Sequence, residues 1–396
     1  MSFAEPPATP ESLRVPFETL GLHPALLSAV AERGYIETMP IQTDVVPAAL
    51  AGGVLIACAE TGTGKTAAFL LPILDHLIRD DDGAGPAARP AGTSVLILTP
   101  TRELAVQIED DIQGFAYHTQ VSSIAVYGGV PSDPQERALR AGADIVVATP
   151  GRLMDHMRAG AAEFSRLRVL VLDEADRMMD MGFWPDVRYI VSVLPIERQT
   201  LLFSATMPPE VVAQANAIVR DARTIGTGTA NGPARTITHR IESMPSAKKV
   251  EWLGQFLRRE AGPVLVFART KRGADRLAVK LAAAGVRTAA LHADRTQAQR
   301  AAALEGLRSG RYTALVATDV AARGLDIDAV THVINYEVPS TREAYVHRVG
   351  RTGRADAAGT AVTLVAPEER RALEVLARDV GIQIGNAGSG RVSTGT

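Results

Sequence analysis

The run Val169-Leu170-Val171-Leu172 ends directly in two carboxylates, Asp173 and Glu174, with Ala175 and Asp176 behind them. An apolar run this short, without polar alternation, reads as a strand buried on both faces. Its end is expected to lift Asp173 and Glu174 out of the core, at the carboxyl edge of a parallel sheet where α/β proteins place ligands. Upstream, Val54-Leu55-Ile56-Ala57-Cys58-Ala59 runs into Glu60-Thr61-Gly62-Thr63-Gly64-Lys65-Thr66. A strand, a glycine loop and a helix start in that order make a phosphate cradle. The glycines let backbone N–H groups close on phosphate oxygens. Lys65 is placed to reach the β- and γ-phosphates and the Thr66 hydroxyl to bind Mg²⁺. A phosphate loop together with a strand-end acidic pair points to a nucleoside triphosphate and magnesium. Asp173 then suits the metal, and Glu174 suits activating a water. Without the loop, the acids would read as ordinary decoration of a helix N-terminus.

The same grammar repeats along the chain. Short apolar runs at 54–58, 95–98, 145–148, 169–172 and 200–203, then at 264–267, 314–317 and 332–335, alternate with helical patterns. That alternation predicts βαβ units. The segments 80–92 (DDDGAGPAARPAG) and 222–234 (ARTIGTGTANGPA) lack an apolar period and read as connections. The second is the expected linker between a domain spanning 1–221 and another spanning 235–384. The Gly/Ser/Thr-rich stretch 385–396 is expected to be disordered.

Charge separates the halves. Net charge is −2 over 396 residues, but residues 1–229 hold 17 Lys and Arg against 28 Asp and Glu, and residues 230–396 hold 25 against 16. The second half is the better match for an anionic polymer. No apolar run reaches the roughly 18 residues of a membrane span, and Met1 to Pro16 has no apolar signal core. The single cysteine, Cys58, excludes an intramolecular disulfide framework and fits a reducing cytoplasm. Its place in an apolar run suggests a buried packing residue. No Cys/His cluster suggests zinc.

A third cluster, His347-Arg348-Val349-Gly350-Arg351-Thr352-Gly353-Arg354, spaces three arginines by three. They share one face if the segment is helical, and such arginines can stabilise charge in phosphoryl transfer. The alternative is a solvated basic face, against which Gly350 and Gly353 speak.

With these clusters in this order, residues 17–366 resemble a DEAD-box RNA helicase of superfamily 2. The segment Met179-Asp180-Met181-Gly182-Phe183 and the short tail are most similar to the bacterial RhlE-like group. The resemblance implies two RecA-like α/β domains, with ATP held by the first and completed by arginines of the second. RNA is implied to lie across both. Phe17 and Gln42 resemble the pair that selects adenine. Within that segment Thr38 and Met39 stand where the family has Pro and Thr, so the loop lacks the proline's rigidity and part of the family's hydrogen bonding. The resemblance gives Thr61, Gly62, Thr63, Gly64, Lys65 and Thr66 to the phosphates and metal. Gly324 and Asp326 fall to the γ-phosphate and ribose, Arg351 and Arg354 to arginine fingers, and His347, Ser204 and Thr206 to coupling. For RNA it implies Pro100, Thr101, Arg102, Gly129, Thr149 and Arg152, then Arg269, Gln297, Arg300 and Thr318. Hydroxyls, glycine N–H groups and arginines are what phosphate and sugar contacts use. None of these stretches is rich in aromatic residues, so sequence-independent backbone binding is expected in place of base stacking. The expected protein is a cytoplasmic monomer that unwinds RNA or remodels ribonucleoprotein. An ATP-gated RNA clamp stays open as the alternative, since the same motifs serve both.

Overall fold

The computed structural model describes residues 14–59, 62–84, 92–219, 221–226, 237–259, 262–319, 330–353, 358–380 and 391–392. The chain divides into two compact units, Met1–Ala230 and Asn231–Thr396.

In the first unit seven strands form one parallel sheet: β1 (Leu55–Cys58), β2 (Val95–Leu98), β3 (Ser123–Val126), β4 (Ile145–Ala148), β5 (Val169–Leu172), β6 (Gln199–Ser204) and β7 (Arg223–Gly226). Their spatial order is β3-β4-β2-β5-β6-β1-β7. Because side chains alternate across a sheet, a continuous apolar run feeds two cores at once. Val169 and Val171 pack with the helices Pro24–Glu32, Pro40–Leu50, Lys65–Ala84 and Arg102–Phe115. Leu170 and Leu172 pack on the other face with Met154, Met178, Trp184 and Val187. This is why β5 carries no polar residue.

The second unit repeats the plan with β8 (Ile237–Ser243), β9 (Val264–Phe267), β10 (Thr288–Leu291), β11 (Ala314–Ala317), β12 (His332–Asn335), β13 (Gly359–Val365) and β14 (Arg391–Val392). The order is β10-β11-β9-β12-β13-β8-β14, parallel except for β14. Val264 and Val266 meet Leu253, Leu257, Leu277 and Leu281 on one face. Leu265 and Phe267 meet Ala303 and Leu307 on the other.

Three expected connections change. Arg223–Gly226, inside the segment read as a linker, is an edge strand parallel to β1, with Ile225 its buried anchor; residues 227–234 lie outside the described residues. The helix Lys65–Ala84 runs through the first part of the 80–92 loop. Asp80 there pairs with Arg168 at 2.6 Å, and His23 contacts Asp82 at 2.9 Å, so the acidic run is partnered from outside the helix. Of the stretch expected to be disordered, Arg391 and Val392 pair antiparallel with Arg240 and His239, and the remainder lies outside the described residues. Among the described residues no helix is long and apolar enough to cross a membrane. Cys58 is half-buried, where full burial was expected, with Sγ 3.8 Å from the Ala205 carbonyl.

His239 of β8 is buried, with Nδ1 2.6 Å from the Tyr345 hydroxyl. Burial holds this imidazole at about 4, below its ordinary 6.5, and pushes the Tyr345 hydroxyl up. The folded value is the lower one, so the unfolded chain takes up the proton first as pH falls. The associated stability is complete above the unfolded value and drains away between about pH 6.5 and 4, by something on the order of 3 kcal/mol. His239→Gln should therefore show a smaller loss of unfolding free energy between about pH 7 and pH 4.5 in urea titrations; an unchanged loss would exclude His239 as its source.

Candidate active site

The carboxyl edge of the first sheet gathers three loops. After β1 the chain turns through Gly62 and Gly64, both at positive φ, into the helix that opens at Lys65. Lys65 is buried, and its Nζ donates to the Ala59 carbonyl at 2.8 Å. Thr66 follows on the first turn of that helix. After β5, Asp173 and Glu174 stand at the sheet edge as expected but are covered, at 3% and 5% exposure. Burial lifts the Asp173 carboxyl to about 7 against the pull of the Lys65 ammonium, and the neighbouring Glu174 adds to the rise. Asp173 Oδ1 accepts the Glu174 N–H at 2.9 Å. Glu174 has φ 52°, a left-handed conformation that a glutamate rarely adopts. It turns the strand end into the short helix Ala175–Asp180, whose Arg177 ion-pairs with the Glu174 carboxylate. That fold-back explains the burial of a pair expected to project outward.

At the end of β6, Ser204 with the following Ala205 and Thr206 closes the group. Asp176 Oδ2 accepts both the Thr206 N–H at 2.9 Å and its hydroxyl at 2.8 Å. Ser204 Oγ donates to the Thr206 carbonyl at 2.6 Å, and the Ser204 carbonyl accepts the Ala59 N–H at 3.0 Å. The segment is thus tied to the acidic loop on one side and to the start of the phosphate loop on the other. Sequence alone assigns no role to Asp176 or Arg177, although Asp176 is the fourth letter of the D-E-A-D string.

Gln42 is fully buried against the phosphate loop. Its Oε1 accepts the Met39 N–H at 2.8 Å and its Nε2 donates to the Gly64 carbonyl at 3.1 Å. A side chain at Gly64 would collide with the Gln42 amide, so this close approach needs glycine. Phe17 is 2% exposed and stands edge-on to Tyr35, ring centroids 6.1 Å apart.

Beside this group, β2, β3 and β4 end in loops that converge. Thr101, next to Pro100, caps the helix Arg102–Phe115 by accepting the Leu104 N–H at 3.3 Å. The Arg102 guanidinium lies on Gly128 and Gly129, and a side chain at Gly129 would occupy its place. Arg152 donates twice to the Val130 carbonyl at 3.2 Å, and Thr149 precedes its helix, Pro150–Arg158.

The second unit brings another set to the carboxyl edge of its own sheet. Arg269 follows β9, exposed, with its N–H on Glu337 at 3.1 Å and its guanidinium 3.5 Å from Glu369. Thr318 follows β11 and is buried, its N–H on the Leu291 carbonyl at 3.2 Å. Gln297 opens the helix Gln297–Arg308, which also carries buried Arg300. The cluster from His347 is not one helix, because Arg342–Val349 ends at Gly350. His347 is half-buried on its last turn, and Arg351 lies beyond it, buried. Arg348 and Arg351 therefore do not share a helical face. Arg348 is a buried hub. It holds Asp319 through Nε at 2.5 Å and Nη2 at 2.8 Å, reaches the Asn335 side chain at 3.1 Å, and lies over the Phe267 ring. Thr61, Gly324, Asp326 and Arg354 lie outside the described residues.

Comparison with known proteins agrees with this layout. The family model described as DEAD/DEAH box helicase matches residues 39–215, and that described as helicase conserved C-terminal domain matches residues 248–356. The chain is 40% identical over 369 residues to the DEAD-box ATP-dependent RNA helicase RhpA of Helicobacter pylori, covering 93% of this chain and 73% of that protein. It is 45% identical to DEAD-box ATP-dependent RNA helicase 30 of Arabidopsis thaliana over 85% of this chain, but spans only 57% of that relative's length. The fold is similar to that of S. cerevisiae Dbp5 bound to RNA and ADP BeF3, with a TM-score of 0.83, 30% identity, and coverage of 92% of this chain and 93% of that one. Two α/β units, the second carrying a glycine-punctuated arginine cluster and the first a buried Lys65–Asp173–Glu174 group, match in order along nearly the whole chain, and the chain belongs to the DEAD-box ATP-dependent RNA helicases.

Proposed function

We propose that this chain is an RNA-dependent ATPase that couples ATP hydrolysis to local separation of RNA strands. The observation that carries the reading is the division of one sheet edge. The loops after β1, β5 and β6 hold phosphate-binding and acid–base groups, while those after β2, β3 and β4 present hydroxyls, glycine backbone and arginines beside them. Lys65 leaves the Ala59 carbonyl for the β- and γ-phosphates. The Asp173 carboxylate at the end of β5 and the Thr66 hydroxyl at the helix start are oxygen donors of the kind Mg²⁺ takes, so they are the residues that would hold it. When bound, the ion neutralises charge on the phosphates. Glu174 orients the attacking water and accepts its proton. Arg351, with Arg354, stabilises charge on the transferring phosphoryl group, and His347 relays the state of that group. Gly324 and Asp326 contact the γ-phosphate and ribose. Ser204 and Thr206, tied to Asp176 and to the phosphate loop, carry the outcome of hydrolysis to the RNA-binding loops. Phe17 and Gln42 select adenine.

RNA is held through its backbone by Pro100, Thr101, Arg102, Gly129, Thr149 and Arg152, and by Arg269, Gln297, Arg300 and Thr318 of the second unit. Within the family the proposed affiliation is the RhlE-like group, supported by Met179–Phe183. A cytoplasmic, monomeric protein with residues 227–234 as its inter-domain linker completes the proposal.

Glu174→Gln removes the proton acceptor and keeps Lys65 and Asp173. It should retain ATP binding, lower turnover by at least roughly a hundredfold, and slow RNA release in the presence of ATP. Wild-type turnover in this variant contradicts the role given to Glu174. Arg351→Ala should lower turnover at saturating RNA by roughly 10³-fold or more while changing nucleotide-free RNA affinity little. The reverse ranking would make Arg351 an RNA contact. Steady-state hydrolysis and RNA binding by fluorescence anisotropy, measured on the same preparations, separate the two.

A further inference from the structure

Thr38 stands at the turn before the helix Pro40–Leu50, fully buried. Its N–H donates to the Val15 carbonyl at 2.8 Å, and the Val15 N–H donates back to Thr38 Oγ1 at 2.9 Å. The adjacent residues Pro16 and Glu37 form an antiparallel bridge. One threonine thus clamps the segment that leads into Phe17 with both its backbone and its side chain. A proline there would offer neither an N–H nor a hydroxyl.

The bonds continue. Thr38 Oγ1 lies 2.6 Å from Thr43 Oγ1, and the Thr43 hydroxyl donates to the Met39 carbonyl at 3.4 Å. The Thr38 hydroxyl accepts from Val15 and shares a hydrogen bond with Thr43, which continues the chain of contacts toward the Met39 carbonyl. Met39 is therefore held on its carbonyl side by Thr43 and through its peptide bond by Thr38. Its N–H in turn fixes the Gln42 amide, because only Oε1 can accept it. Nε2 must then point to the Gly64 carbonyl, immediately before Lys65. The relay runs from Val15, two residues before Phe17, to the phosphate loop.

Amide orientation is what a base reads. Adenine presents a donor at N6 beside the N7 acceptor, whereas guanine presents acceptors at both O6 and N7. A glutamine free to flip its amide would serve either base.

We infer that Thr38 is a specificity-determining positioning residue for the nucleotide, locking the Gln42 amide in one orientation and tying the Phe17 segment to the phosphate loop. This rests on the proposed nucleotide site and adds to it a residue that replaces the family's proline. Thr38 is fully buried and Val15 half-buried, so loss of the hydroxyl removes the protein partner of the Val15 N–H.

The test is hydrolysis of ATP and of GTP at saturating RNA by wild type, Thr38→Val and Thr38→Ser, with melting curves for each. Thr38→Val, which keeps shape and loses the hydroxyl, should raise KM for ATP roughly fivefold and cut the ATP-over-GTP preference in kcat/KM by a similar factor. The kcat for ATP should stay within about twofold, and Thr38→Ser should restore all three values. A selective wild type whose Thr38→Val variant keeps its KM and preference overturns the role of Thr38 alone. So does a variant that loses only melting temperature or kcat. A wild type that hydrolyses GTP as readily as ATP overturns the adenine reading of Gln42 and Thr38's role with it. Should Thr38→Val fail to fold, Thr43→Val breaks the same relay one bond later. It must then shift KM and preference in the same direction, and an unchanged preference overturns the proposal.

Discussion

The attraction between the Lys65 ammonium and the Asp173 carboxyl is the interaction on which the first unit's site depends. Both groups are buried, and neither charge is affordable alone in such a place. Burial drives Asp173 toward its neutral form, and Lys65 opposes it. The result is a carboxyl poised near neutrality, with a lysine parked on the Ala59 carbonyl. Phosphates arriving at the glycine loop offer Lys65 a stronger partner than a neutral carbonyl. Under the proposed function, substrate binding reorganises charges the fold has already desolvated. The neighbouring Glu174–Arg177 pair follows the same logic, with a left-handed glutamate held by an arginine three residues on.

Sheet order joins this local chemistry across neighbouring loops. β5, β6 and β1 are consecutive in space, so their three loops touch. β2, β4 and β3 continue the sheet on the other side of β5, and their loops form the group around Arg102 and Arg152. The acidic loop is linked to the loop after β6 through Asp176 and Thr206, and that loop to the phosphate loop through Ser204 and Ala59. Under the proposed function, a change of contacts at the nucleotide reaches the segment assigned to coupling through these hydrogen bonds.

Much of this was legible beforehand because parallel strands buried on both faces leave an unmistakable trace. β2, β4, β5, β9, β11 and β12 coincide with the apolar runs read from the sequence, and β1 and β6 differ only at their ends. Three of the strands that went unread lack that trace. β3 begins with a serine and is half-buried, β10 relies on two alanines, and β7 has one buried residue at a sheet edge. The arginine cluster misled in a different way. Spacing by three suggests a helical face, but Gly350 ends the helix, leaving Arg348 inside as a structural hub and Arg351 outside it. Thr38 was read as a loss of rigidity; the hydrogen bonds that replace the proline reach a residue 23 positions away, which no local pattern exposes.

The account's central claim is that nucleotide chemistry and RNA binding share one edge and act together. Steady-state ATP hydrolysis by the intact chain, measured without nucleic acid, with saturating single-stranded RNA, and with DNA of the same sequence, tests it most directly. The account predicts a rate that is low alone, rises by at least roughly tenfold with RNA, as assembly of an incomplete site on ligand binding requires, and rises little with DNA. A rate that is the same in all three conditions would contradict it.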